Sequence, residues 1–159
     1  GSNRIYVGLK NGKNIDKSVQ YNIDLEKENG LDKLETFVNF SNNVYQSKLD
    51  LLLLLESIFE EGKKVLSYGA TSKSTTIFNY CGIDSDLIEC VSDTSDTKIG
   101  KLTPGSHIPI YNRSDINLNE YDYIFLGAWN FKDYIINNEK EWIENGGKLI
   151  THVPTVHII

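Results

Sequence analysis

The chain contains no methionine and only two cysteines. The missing methionine includes the initiator, and Gly1-Ser2 in its place reads as a cloning remnant on a fragment of a longer protein. Cys81 and Cys90 lack the spacing of a metal site, so no metal is expected. They read as reduced, buried thiols of a cytoplasmic protein. No uninterrupted apolar run reaches the roughly 18 residues of a membrane helix, and no signal peptide is visible. Positive charge is not in excess either. A net charge of −6 and a pI of about 5.0 argue against nucleic-acid polymers as partners, and no membrane partner is expected.

What is present suits one domain with a real core. The length of 159 residues is sufficient for that. "RIYVGL" (Arg4 to Leu9) reads as a short strand, and residues 10–30 are polar with a helical piece near Ser18 to Lys27. Leu31, Leu34, Val38, Tyr45, Leu52, Leu55 and Phe59 then keep helical spacing up to the stop at Gly62. A helix of about 30 residues spans about 45 Å, more than a domain of this size needs. The run Leu51 to Leu55 is apolar all round, which predicts cover on more than one side. Ser41 and Lys48 interrupt the seam that a coiled-coil dimer requires.

Beyond Gly62 strands and helices alternate. "KVLSYG", "LIECVSD", "HIPIY", "YDYIFLGAW" and "KLITHVP" read as strands, and "STTIFNYCG" and "FKDYIINNEKEWIENGG" as helices. Near-continuous apolar strands joined by helices predict a mostly parallel sheet covered on both faces. The fold class is α/β: a Rossmann-like three-layer unit over 62–159, preceded by a long helix over 31–61 and by a strand and irregular segment over 1–30.

Ligands of such sheets sit beyond the carboxyl ends of the strands. The first strand ends at Tyr68-Gly69, followed by Ala70-Thr71-Ser72-Lys73-Ser74-Thr75. Gly69 permits a tight turn, and the next helix directs free N–H groups at the loop. The hydroxyls and Lys73 complete a candidate diphosphate cradle. The same Ser and Thr residues also suit plain helix caps. The stretch is neither G-x-x-x-x-G-K-[ST] nor G-x-G-x-x-G, which excludes the two common phosphate loops.

Asp93 closes the second strand 24 residues past Gly69, where dinucleotide folds place a ribose-binding carboxylate. It is equally placed to cap the turn "DTSDTKIG". His107 follows the Pro104-Gly105 turn, in reach of a ligand or fixing its own loop. Trp129 suits stacking, and Asn130 suits a helix cap. His152 and His157 read as structural. No catalytic constellation of Ser/His/Asp or Cys/His type is placed by the sequence, so no catalytic residue is assigned.

Taken in order, "GKKVLSYGATSKSTTIFNYCGI", "PGSHIPIY", "WNFKDYI" and "GGKLITHVP" resemble the C-terminal domain of S-adenosylmethionine-dependent sugar C-methyltransferases. The family loop runs roughly Tyr-Gly-Ala-Pro-Ala-Lys-Gly-Asn, then a helix ending Asn-Tyr-Cys-Gly. Tyr68, Gly69, Ala70, Lys73, Asn79, Tyr80, Cys81 and Gly82 match it, and Asp93, Pro104, Gly105, His107, Ile108, Pro109, Trp129, Asn130 and Lys132 fall in register. The family's Pro is Thr71 here, and its second Gly is Ser74. The resemblance implies a substrate-anchoring domain for a nucleotide-linked deoxysugar, and an enzyme only as part of a full-length methyltransferase. It also implies an N-terminal zinc-binding region and a middle domain that holds S-adenosylmethionine (SAM), both outside this chain. Two other readings stand beside it: an NAD(P)-binding module of an oxidoreductase, and a non-catalytic dimerisation domain.

Overall fold

The computed structural model describes residues 4–9, 12 and 14–159. Gly1 and Ser2, read above as a cloning remnant, lie outside them. The chain divides into two units, Gly1–Asn43 and Val44–Ile159.

In the first unit, helix α1 spans Lys17–Glu28. The Asp16 carboxylate caps it by accepting the Ser18 N–H at 2.8 Å. Helix α2, Leu34–Glu60, begins here and continues into the second unit. Arg4 to Leu9 does not form the expected strand: it is irregular and exposed. A short apolar segment forms a strand only where a neighbouring edge pairs with it, and none does among the described residues. Every described hydrophobic side chain of this unit is at least partly exposed, Phe37 and Phe40 by 52% and 65%.

The second unit carries strands β1 (Val65–Tyr68), β2 (Cys90–Asp93), β3 (Ile110–Asn112), β4 (Tyr123–Phe125), β5 (Lys148–Thr151) and β6 (His157–Ile158). They form one sheet in the order β3-β2-β1-β4-β5-β6. All neighbours are parallel except β5 and β6. The chain builds outward from β1 to β3, then returns to place β4 on the other side of β1. The switch point therefore lies between β1 and β4.

Side chains alternate across β1. Val65 joins one cluster with Leu51, Leu55 and Ile58 of α2 and Phe78 of helix α3 (Ser72–Cys81). Leu66 joins a second cluster with Ile124, Leu149, Ile135 and Trp142. The last two belong to helices α4 (Lys132–Asn138) and α5 (Lys140–Glu144). The unit thus has three layers. Leu51 and Leu55 are fully buried, each contributing about 1.5–3 kcal/mol. The leucine run is nevertheless covered on one side only, since Leu53 is 66% exposed.

The last helix, expected as one piece, is two. The break falls at Glu139, whose buried carboxylate accepts the Arg113 Nε–H at 2.9 Å. Strand β6 was not anticipated either. It folds back on β5, pairing Thr151 with His157.

Candidate functional site

The loop after β1 is held by its own residues. Thr71 caps α3 by accepting the Ser74 N–H at 3.0 Å, and Ser74 Oγ accepts the Thr71 N–H at 3.0 Å. This is a reciprocal capping box built with serine. Thr71 Oγ1 also donates to the Gly127 carbonyl at 3.0 Å, beyond β4. Ser74 is buried, and its hydroxyl lies 3.1 Å from the Gly69 carbonyl. Two of the loop's hydroxyls are therefore structural. Ser72 and Thr75 line a pocket, and the N–H groups of Ser72 and Lys73 have no partner among the described residues.

That pocket holds about 280 Å³. Ala70, Thr71, Ser72 and Thr75 form one wall, at the start of α3. Thr97, Lys98 and Lys101, from the segment after β2, form the opposite wall. Leu102, Thr103, Pro104 and Ile110 close its apolar end. Lys98 Nζ meets Asp93 Oδ2 at 3.2 Å and Lys101 Nζ donates to the Thr97 carbonyl at 2.5 Å, each with N–H donors left over; with the free N–H groups at the start of α3 these lysines suit an anion. Lys98 and Lys101 went unnoticed in the sequence. Their signal is two lysines three residues apart in "DTKIGKL", directly after a strand end.

The other sequence candidates fall around the pocket without lining it. Asp93 sits behind it, at 10% side-chain exposure. Its Oδ2 accepts the Ala70 N–H at 2.8 Å and meets Lys98 Nζ at 3.2 Å; its Oδ1 accepts the Ser95 N–H at 2.9 Å. Lys73 is exposed on the first turn of α3. Asn79 clamps the next loop, donating from Nδ2 to the Pro104 carbonyl at 2.8 Å. Gly105 is essential to that clamp: its φ is +82°, and a Cβ there would collide with the Asn79 amide. His107 holds φ +54°, its backbone N–H closing the loop onto the Thr103 carbonyl at 3.0 Å while its ring is exposed.

Tyr68, Trp129 and Asn130 lie on the β4 side. Tyr68 and Trp129 pack against the second hydrophobic cluster. Asn130 does not cap a helix as expected. It sits inside a 3-10 turn, Trp129–Phe131, and neither that turn nor α4 has a side-chain cap. Burial, then the charge of Glu139 and a hydrogen bond to it, push the Tyr68 phenol up to about 12. Glu139 in turn favours the protonated Arg113. This cluster is a neutral phenol beside a closed ion pair.

The two sides are separated at the switch point. The Ala128 N–H donates to the Tyr68 carbonyl at 2.9 Å, extending the β1–β4 pairing past the strand ends. Gly69, at φ +95°, lies so close that a Cβ would stand 2.7 Å from the Ala128 Cβ. The loops after β1 and β4 therefore approach closely at the switch point, with room at Gly69 for a glycine alone.

Among the described residues, no group of three or more His, Cys, Asp or Glu could hold a metal, and no helix is long and apolar enough to cross a membrane. Cys81 and Cys90 are free and buried, with burial raising both thiols.

A comparison with known proteins agrees with this architecture. The chain is 34% identical over 134 residues to the C-methyltransferase NovU of Streptomyces niveus. That stretch is 84% of this chain and 32% of the relative, so the chain spans about a third of the protein it matches. Residues 1–154 match the family model of the C-methyltransferase C-terminal domain. By both measures the chain belongs to the family of C-methyltransferase C-terminal domains.

Proposed function

We propose that this domain anchors a nucleotide-linked sugar for SAM-dependent C-methylation, with the diphosphate in the pocket between α3 and the segment after β2. The observation that carries this is the pairing of Lys98 and Lys101 with the start of α3 across about 280 Å³. Diphosphates are recognised by such cations and free N–H groups. The pocket does not suit SAM, whose sulfonium is itself cationic and would face two lysines. The methyl donor is assigned to a domain outside this chain, and with it the base that deprotonates the sugar next to its keto group. A zinc-binding region and that SAM-binding domain are the expected partners within the full-length enzyme. The dinucleotide reading loses support because Thr71 and Ser74 stand where G-x-G-x-x-G has its second and third glycines.

A chemical-shift titration with dTDP, UDP, GDP, NAD and SAM tests the proposal. Shifts of Ser72, Thr75, Lys98 and Lys101 with a nucleoside diphosphate, and none with SAM, are expected. Lys101→Ala should weaken that binding by about 1–3 kcal/mol, and Lys73→Ala, outside the pocket, by less. Shifts with SAM alone, or silence for all five, refute the anchoring role.

A further inference from the structure

At the end of the second strand of a dinucleotide fold, a carboxylate meets ribose hydroxyls. Asp93 occupies that place in sequence, yet its side chain is absent from the pocket lining. Its side chain is 10% exposed, and it bonds to residues of both walls. One oxygen accepts the Ala70 N–H from the α3 wall at 2.8 Å and holds Lys98 of the opposite wall at 3.2 Å. The other oxygen accepts the Ser95 N–H at 2.9 Å, fixing the turn that leads to Thr97 and Lys98. A carboxylate offers about four lone-pair sites. Three of these are taken by the protein, and all three partners belong to the frame of the pocket.

From this we infer that Asp93 is a positioning residue: it sets the distance between the two walls and aims the Lys98 ammonium, and the ribose of the ligand does not touch it. The inference rests on the diphosphate reading only for its effect on affinity; its structural half stands alone. The consequence for specificity is concrete. With no carboxylate reading the ribose, this site gains nothing from the 2′- and 3′-hydroxyls through Asp93. Ribose and deoxyribose diphosphates therefore bind on equal terms as far as this residue is concerned.

The test uses Asp93→Asn, close in shape but without the charge, together with Lys98→Ala and the double variant. Titration with UDP, 2′,3′-dideoxy-UDP and inorganic pyrophosphate is expected to show Asp93→Asn weakening all three by the same factor, about tenfold. Lys98→Ala should do likewise, and the double variant should lose less than the sum of the two single losses, because the two share the Lys98 ammonium. A wild-type preference for UDP over the dideoxy compound that Asp93→Asn abolishes would overturn the inference. Amide hydrogen exchange without ligand decides the structural half. Ala70 and Ser95 should exchange about tenfold faster in Asp93→Asn, as expected for losing a charge-assisted hydrogen bond. Unchanged exchange at both refutes the positioning role even if UDP binds. Faster exchange with no binding of any probe in the wild type sustains it, and brings down the diphosphate reading instead.

Discussion

Gly69→Ala tests the close approach of the two loops at the switch point most directly. Two separable costs are built into it. The backbone at Gly69 has φ +95°, a region that L side chains rarely adopt, at about 1–3 kcal/mol. The new Cβ would also stand 2.7 Å from the Ala128 Cβ and 3.4 Å from Thr71 Cγ2. Overpacking of that kind costs about 1–3 kcal/mol, because Ala128 is 7% exposed and tied through its N–H to Tyr68. Gly69→Ala should therefore lose about 2–6 kcal/mol in urea unfolding. Ala128→Gly alone should lose about 1 kcal/mol through added chain freedom. In the double variant the steric part disappears while the φ part remains. The double loss should then be smaller than the sum of the single losses by about 1–3 kcal/mol. Simple additivity would refute the close contact of the β1 and β4 loops.

Glu139→Gln should cost about 2–4 kcal/mol in the same assay, because it leaves the Arg113 guanidinium at 22% side-chain exposure without its carboxylate. Adding Arg113→Met should recover part of that loss; a further loss instead would show that the unpaired guanidinium is not the source of the cost. His152 predicts a pH dependence. Its ring stacks on Phe125 with centroids 5.3 Å apart, its Nδ1 is buried without a partner, and burial lowers its pKa from 6.5. The unfolded chain therefore takes up the proton first as pH falls. Stability should be full above pH 6.5 and decline below it, down to the folded-state pKa, in wild type but less in His152→Phe. Equal slopes in urea titrations across that range would discard the role of His152.

The sheet was legible because each strand is an apolar run ended by a turn residue, and because Gly82 and Gly146-Gly147 stop helices in plain view. What could not be read depends on partners far along the chain. Glu139, where the last helix breaks, bonds to Arg113, 26 residues away. Lys48 looked like an interruption of an apolar seam. In the fold its Nζ donates to the Tyr80 carbonyl at the end of α3 at 2.8 Å and lies 5.1 Å from the Tyr80 ring centroid. Arg4 to Leu9 had the composition of a strand without an edge to pair with. At the site, the sequence located the right loop but assigned its groups too generously. Hydroxyl-rich stretches do not say which hydroxyls are spent on capping. The opposing lysines lie in a segment that only the fold brings across from α3.

The loop's two departures from the family pattern make better sense together than apart. Thr71 stands where the resemblance places Pro, and Ser74 stands where it places Gly. In the structure these two residues bond to each other: the Ser74 N–H to Thr71 Oγ1, and the Thr71 N–H to Ser74 Oγ, each at 3.0 Å. A proline at 71 has no N–H to give and no hydroxyl to receive; a glycine at 74 has no hydroxyl to offer. Either change alone therefore strands the partner left behind. Thr71→Pro should leave the Ser74 N–H uncapped, and Ser74→Gly should leave the Thr71 N–H without its acceptor, each costing about 1–2 kcal/mol. Made together, they remove both halves of the box and install the fixed φ of proline, so the double variant should lose less than the sum by about 1 kcal/mol. Thermal or urea unfolding of the four proteins reads this coupling. Strict additivity would mean that the two positions changed independently, and that the box seen here does not stabilise the loop.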